Sequence, residues 1–273
     1  MTTLAFKQVD VFTSQPFRGN PVAVVIGAEG LDTGTMQRIA NWTNLSETTF
    51  LLKSAVADYK LRIFTPLQEL PFAGHPTLGS AHAALESGFV PSKKSLRQEC
   101  QAGIFDLQVE DGRISVRGPA PKMTPVAEPI GADTISAPMR IDVGAVWVVA
   151  EVRDAKFLAA LKPDVPVLMK LSEKLDLAGV CLFAKSDDGE SAIHVRAFAP
   201  YHGIPEDPVC GTGNLSIAAY LRHHKDTRFG ASYVARQGMQ MGRDGRVHMR
   251  LDDDGATHLG GNSVTCVDGT IRL

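Results

Sequence analysis

The sequence predicts an α/β (α+β) protein of two similar halves, each a mixed, largely antiparallel β-sheet or barrel around one central helix. Three observations predict it. The first is an internal repeat: Arg62-Ile-Phe64-Thr-Pro66 recurs as Arg196-Ala-Phe198-Ala-Pro200, 134 residues later. Glu69-Leu-Pro71-Phe-Ala-Gly74-His-Pro-Thr-Leu78-Gly-Ser-Ala81 is then echoed, at an offset of 137, by Glu206-Asp-Pro208-Val-Cys-Gly211-Thr-Gly-Asn-Leu215-Ser-Ile-Ala218. Asp111-Gly-Arg113 to Arg117 also matches Asp244-Gly-Arg246 to Arg250, at an offset of 133. Matches in the same order at about half the chain length indicate duplication. The second observation is a set of short β-branched runs, and the third is helical apolar spacing after Gly74 and again after Gly211.

Taken in chain order, Val22 to Ile26 and Thr48 to Leu52 read as buried strands. Leu78, Ala81, His82 and Leu85 share a helix face, with Pro76 in a first turn that tolerates proline. Asp111-Gly112 reads as a hairpin turn. Four prolines between Pro119 and Pro129 mark a linker, giving a first domain of residues 1–118 and a second of residues 130–261. In the second half, Val143 to Val149 and Val180 to Phe183 read as strands, and Leu215, Ala218, Ala219 and Leu221 as a helix face. Arg222-His223-His224-Lys225 ends that helix, where cations suit the dipole, and Asp244-Gly245 reads as a second hairpin turn.

Composition excludes several classes of function. Lys+Arg 28 against Asp+Glu 30, with only 21% charged residues, argues against an electrostatic nucleic-acid binder. The best candidate stretch, Val143 to Val152, is too short to cross a bilayer, and no signal peptide is visible. The four cysteines form no Cys-x-x-Cys pair or His/Cys cluster, so neither a metal site nor a disulfide framework is expected. Gly211-x-Gly213 lacks the third glycine of a dinucleotide fingerprint, and Lys93-Lys94 with Arg97 reads as a solvated loop. The chain is expected to be a cytoplasmic enzyme or binding protein.

Duplication places a site where equivalent loops of the two halves face each other. Here both loops are glycine-bearing helix starts, Gly74-His75 and Gly211-Thr212-Gly213. Such starts expose N–H groups and a partial positive charge, suited to a carboxylate; glycines also simply permit tight strand-to-helix turns.

The motifs Gly19-Asn20-Pro21-Val22, Asn44-Leu45-Ser46-Glu47-Thr48, Arg62-x-Phe64-Thr65-Pro66 and Pro71-Phe-Ala-Gly74-His75-Pro-Thr77 resemble the N-terminal signatures of the PhzF-like phenazine-biosynthesis isomerases. Glu206-Asp207-Pro208-Val-Cys210-Gly211-Thr212-Gly213-Asn214 resembles the matching C-terminal motif. The resemblance implies a diaminopimelate epimerase-like fold, a last stretch (about 262–273) that returns to the first domain, a homodimer, and proton transfer on a small carboxylate without a cofactor. It places Glu47 at the family's acid/base position, with His75 and Asp207 as further catalytic residues that line the site, orient the substrate and assist proton relay, and Thr212 binding substrate. Asn20, Ser46, Gly74, Cys210, Gly211 and Gly213 complete the candidate substrate-binding set.

Bland readings stand beside these. Glu47 between Ser46 and Thr48 also suits a surface residue or a helix cap. The chemistry needs a carboxyl made more basic by partial burial, for which Phe50-Leu51-Leu52 is the candidate. His75 and Asp207 also suit a helix start and a capping Asp-Pro turn, while Asn20 and Ser46 suit local backbone bonds. Cys210 departs from the family, which often carries threonine there. Related cysteine-dependent epimerases use two thiols, one per half, but the repeat sets Ala73 opposite Cys210. A helix start would lower the Cys210 pKa, so a Cys210-dependent racemase or epimerase remains an alternative. So does a non-catalytic carboxylate-binding or interaction protein on the same scaffold.

Overall fold

The computed structural model describes residues 2–273. The chain divides into two compact units: residues 1–117 with 260–273, and residues 118–259.

The first unit runs β1 (Thr3–Val11), β2 (Asn20–Ile26), α1 (Thr33–Thr43), β3 (Glu47–Leu52), β4 (Tyr59–Phe64), β5 (Glu69–Leu70), α2 (Gly74–Glu86), β6 (Ser95–Cys100), β7 (Gly103–Glu110) and β8 (Arg113–Arg117). β2 pairs in parallel with β3 and β4 with β6; β1–β2, β3–β4, β4–β5, β6–β7 and β7–β8 are antiparallel. Helix α2 packs on β1, β2, β3 and β8, and its residues from Gly74 to Ala81 are all buried. A helix buried all round is a core element rather than an amphipathic cover. Gly79 allows the closest approach, since a Cβ there would lie 2.5 Å from Val22 Cγ1 and 2.7 Å from Val11 Cγ2. The opposite sheet face takes α1: Met36, Ile39 and Ala40 pack with Val25, Phe50 and Phe64.

The second unit contains β9 (Lys122–Pro125), β10 (Met139–Asp142), β11 (Val146–Glu151), α3 (Ala155–Ala160), α4 (Val165–Leu175), β12 (Gly179–Lys185), β13 (Ile193–Ala199), β14 (Ile204–Asp207), α5 (Gly211–His223), β15 (Ser232–Gln237) and β16 (Gly245–Leu251). The last strand, β17 (Thr257–Arg272), begins in this unit and pairs antiparallel with β1 over Thr3 to Val11. β11–β12 and β13–β15 are parallel; β10–β11, β12–β13, β13–β14 and β15–β16 are antiparallel. Helix α5 is buried from Gly211 to Leu221, and α3 and α4 cover the other face through Leu158, Leu168 and Leu171. The order of parallel and antiparallel pairs repeats that of the first unit, strand for strand.

Four expectations change. Val143 to Val149 is not one strand: Gly144 turns at a φ of 94° between β10 and β11, with its N–H on Asp142 Oδ1. Asp111-Gly112 is a two-residue hairpin turn, both residues at positive φ, but Asp244-Gly245 is not. Gln237 pairs with Gly245, so the turn is residues 238–244 and Gly245 is a strand residue. By sheet position β16 corresponds to β7 and not to β8, so the third sequence match is accidental. Asp-Gly is a common turn pair, which makes such coincidences cheap. Within the Pro-rich stretch 119–129 lies β9, paired with β10.

Candidate active site

In the first unit, Glu47 opens β3 and His75 is the second residue of α2. The Glu47 Oε2 to His75 Nε2 distance is 3.2 Å, and the side chains are only 14% and 5% exposed. Burial holds the His75 pKa down at about 3, against a smaller opposing hydrogen bond to the Pro21 backbone. The ring is therefore neutral at ordinary pH, and the contact is an imidazole beside a carboxyl rather than an ion pair. Asn20 Nδ2 lies 3.4 Å from His75 Nδ1, so the ring is flanked on both nitrogens. Of the run Phe50-Leu51-Leu52 expected to bury Glu47, only Leu51, itself fully buried, shares its strand face. Side chains alternate along a strand: Phe50 joins the α1 layer, whereas Thr49, on the Glu47 face, bonds Ser80 of α2 at 2.8 Å. His75, at the start of α2, packs directly against the Glu47 carboxyl. Ser46 precedes it, half-buried, after Asn44 caps α1 in the left-handed region at a φ of 53°.

In the second unit, Asp207 ends β14 three residues before Cys210, the N-cap of α5. Asp207 Oδ1 accepts from Val209 N–H at 3.1 Å, and its backbone carbonyl from Gln237 Nε2 at 2.8 Å. Burial pushes its pKa up to about 6, opposed by hydrogen bonds from Cys210 and Val209 and aided by the charge of Glu206. Cys210 Sγ accepts from Gly213 N–H at 3.2 Å, and Cys210 N–H donates to Gln237 Oε1 at 3.1 Å. The expected lowering of the Cys210 pKa is reversed. Burial, then the neighbouring Asp207 carboxyl and Cys181, raise it well above the usual thiol value, and hydrogen bonds from the Gly213 N–H and the Thr212 hydroxyl do not compensate. At Gly213 a Cβ would meet Cys181 Sγ at 2.9 Å and Cys210 Sγ at 3.1 Å, so only glycine fits between the two sulfurs. Thr212 Oγ1 accepts from Trp147 Nε1 at 3.0 Å.

The repeated Arg, Phe and Glu positions hold the loops that lead into both helices. Arg62 grips Glu69 with two bonds of 2.7 and 2.6 Å, and Arg196 grips Glu206 with two of 2.9 and 2.8 Å. Bidentate guanidinium–carboxylate pairs fix geometry as well as charge. Each arginine also lies over its phenylalanine, Phe64 or Phe198.

Strand register shows which positions correspond. Val22 pairs with Glu47 and Thr48 with Phe64; Trp147 pairs with Gly179 and Val180 with Phe198. The second-unit counterpart of Glu47 is thus Gly179, and that of His75 is Thr212. A Cβ at Gly179 would lie 2.1 Å from Phe198 O and 2.9 Å from Trp147 Cζ3, so no side chain fits. Conversely Asp207 corresponds to Leu70 and Cys210 to Ala73. Sequence reading missed Trp147 and Gln237. The signal for Trp147 was a tryptophan in an apolar strand run, whose buried N–H demands an acceptor. Among the described residues no group of three or more His, Cys, Asp or Glu side chains is placed to hold a metal ion, and no helix is long and apolar enough to cross a membrane.

Comparison with known proteins decides the family. The family model described as phenazine biosynthesis-like protein (PhzC-PhzF) matches residues 9–269. The chain belongs to the PhzF family. It is 32% identical to the trans-2,3-dihydro-3-hydroxyanthranilate isomerase of Pseudomonas aeruginosa, with 97% of this chain and 98% of that protein covered. It is 37% identical to a Schizosaccharomyces pombe protein named antisense-enhancing sequence 1, with 98% and 99% covered. A Bacillus anthracis PhzF-family crystal structure superposes with a TM-score of 0.89 at 29% identity, over the whole of both chains. A hydroxyproline epimerase from Agrobacterium vitis shares the fold, with a TM-score of 0.71 at 16% identity over 99% of this chain and 93% of that one. The fold is thus the duplicated, diaminopimelate epimerase-like architecture, here in a member of an isomerase family.

Proposed function

We propose that this PhzF-family protein isomerises a small, cyclic amino- or hydroxy-carboxylate by moving one proton between two of its carbons, with Glu47 as the general acid/base. The Glu47 carboxylate takes a proton from an acidified carbon, the double bond shifts, and the resulting carboxylic acid returns the proton to the new carbanionic carbon. Atoms and charge balance without an oxidant or a cofactor. The contact of Glu47 with a neutral, buried His75, and the lack of any side chain at its counterpart Gly179, carry this reading: one half has a base where the other has none. The trans-2,3-dihydro-3-hydroxyanthranilate of the Pseudomonas relative fits this substrate class.

Each remaining residue then has a task. His75 and Asn20 hold the Glu47 carboxyl in place, and Ser46 lies beside it. The N–H groups of Gly74 and His75 at the α2 start, and those of Gly211 and Thr212 at the α5 start, are each suited to carboxylate or hydroxyl oxygens. Asp207 holds the amino or hydroxy group, and Cys210 and Gly213 shape the second helix start. The working form is proposed to be a cytoplasmic homodimer.

The test is exchange in D₂O with cyclic and acyclic amino-carboxylates, read by mass. Glu47→Gln keeps shape and reach but cannot take the proton, so exchange is expected to fall about 10²- to 10⁴-fold. Cys210→Ser is expected to cost far less, since its counterpart in the other half is Ala73 and a mechanism with one thiol per half lacks its second member. Collapse in Cys210→Ser with Glu47→Gln still active would move the protein to thiol-dependent racemisation or epimerisation. Tight carboxylate binding with no exchange under any condition would make it a binding protein.

A further inference from the structure

The second unit uses the position of the missing base for something else. Where β2 carries Val22 beside Glu47, β11 carries Trp147 beside Gly179. The Trp147 side chain is 4% exposed. Its edge lies 2.9 Å from the point a Gly179 Cβ would occupy. Its Nε1–H donates to Thr212 Oγ1 at 3.0 Å. Thr212 is the counterpart of His75, so the helix-start residue is contacted from the neighbouring strands in both units: by a carboxyl in one and by an indole N–H in the other.

The chemistry of the two contacts differs in one respect. A hydroxyl has one proton to give and two lone pairs to receive with, whereas an indole N–H only donates. With Trp147 on one lone pair, the Thr212 proton must point away from the indole. Cys210 Sγ, at 3.8 Å, is the one other polar side-chain atom recorded beside this hydroxyl among the described residues, and a sulfur is a poor acceptor. The hydroxyl is thereby left as a donor with a weak partner, next to the N–H groups of the first α5 turn. Thr212 is itself 9% exposed, so its orientation is set by protein groups rather than by bulk water.

We infer that Trp147 is a positioning residue: its indole N–H commits the Thr212 hydroxyl to donate to a substrate carboxylate, while its ring fills the place that a second base would need. This assignment rests on the amino-carboxylate reading above. It predicts discrimination: with the α5 N–H groups taking one oxygen of the ligand, the second oxygen of a carboxylate satisfies the committed donor, and the NH₂ that a carboxamide presents there does not.

The experiment measures, by calorimetry, the affinities of 2-aminobenzoate and 2-aminobenzamide, which share ring and amino group. Wild-type protein is expected to favour the carboxylate. Trp147→Phe keeps the aromatic bulk and removes the N–H, so the carboxylate-to-amide ratio should fall about ten-fold, the order of one hydrogen bond to a charged group. Thr212→Val should lower the ratio similarly, Thr212→Ser should retain it, and Trp147→Phe should add nothing in the Thr212→Val background. A purely structural role would weaken both ligands in parallel and leave the ratio unchanged, which overturns the assignment. If Trp147→Phe fails to fold, the Val and Ser pair at Thr212 decides: equal ratios in both overturn it. Wild-type protein that binds neither compound overturns it together with the amino-carboxylate reading, whereas binding with an unaltered ratio in Trp147→Phe leaves that reading standing.

Discussion

Replacing His75 with asparagine should make the protein less sensitive to acid, even though it loses a buried ring. In the native state burial holds the His75 pKa at about 3, against 6.5 for an ordinary histidine. Above pH 6.5 the ring is neutral in folded and unfolded chains alike, and the difference has no effect. As pH falls below 6.5 the unfolded chain takes up a proton that the folded one refuses, so stability drains away until the folded pKa is reached. At about 1.4 kcal/mol per pH unit, the whole interval is worth about 4–5 kcal/mol, and about 2–3 kcal/mol is already lost at pH 4.5. Asparagine does not titrate. Urea denaturation of wild type and His75→Asn at pH 7.5, 6, 5 and 4.5 reads this site, because titrating groups away from it cancel in the difference. The variant should be the weaker protein at pH 7.5, having lost packing and the contact with Glu47. Its deficit should then shrink by about 1.4 kcal/mol for each pH unit below 6. A deficit that stays constant from pH 7.5 to 4.5 would refute the argument that burial keeps this imidazole uncharged.

Asp207→Asn should show the opposite pH window. Burial raises the Asp207 pKa from 3.8 to about 6, so the native state keeps a proton that the unfolded chain gives up, and stability falls as pH rises from about 4 to 6. Since the side chain is only partly buried, a gain of about 1–3 kcal/mol for the asparagine variant is expected, appearing across that window and constant above pH 7. Denaturation curves that run parallel at pH 4, 6 and 8 would count against it. Gly79→Ala should lower the melting temperature, at a cost of about 1–3 kcal/mol, because its methyl would sit 2.5 Å from Val22 Cγ1 and 2.7 Å from Val11 Cγ2. Unchanged melting would mean that α2 does not press on β1 and β2 as closely as described.

The duplication was readable because the repeated residues do the same physical work twice. Arg62 with Glu69, and Arg196 with Glu206, clamp the loop ahead of each central helix, so the Arg, Phe and Glu positions survive in both halves. Gly74 and Gly211 start equivalent helices of 13 residues for the same reason. The Asp-Gly-Arg match misled because two residues in a turn carry too little information to fix a register. The behaviour of Cys210 was hidden for another reason: a helix start is visible in sequence, but the burial and the Asp207 carboxyl that outweigh it are tertiary. Most opaque was the pairing of Glu47 with Gly179. No run of letters aligns them; only the parallel registers of β2 with β3 and of β11 with β12 bring out the correspondence. Trp147, read at first as one member of an apolar strand, gained meaning once its N–H was found on Thr212.

The tight approach of β13 to Gly179 has an implication for how such a chain can change. Most side chains can be introduced by one codon change, but this position resists it. Placing a carboxylate at 179 would drive its first carbon to 2.1 Å from the Phe198 carbonyl oxygen, a main-chain atom that no neighbouring substitution removes. Shrinking Trp147 would clear only the second obstacle. A symmetric, two-base arrangement would therefore require the two strands to move apart first, a step with no catalytic reward of its own. The shorter road to new chemistry runs through substitutions at Leu70, Ala73 and Thr212, whose counterparts Asp207, Cys210 and His75 show that the scaffold already accepts polar side chains at those positions.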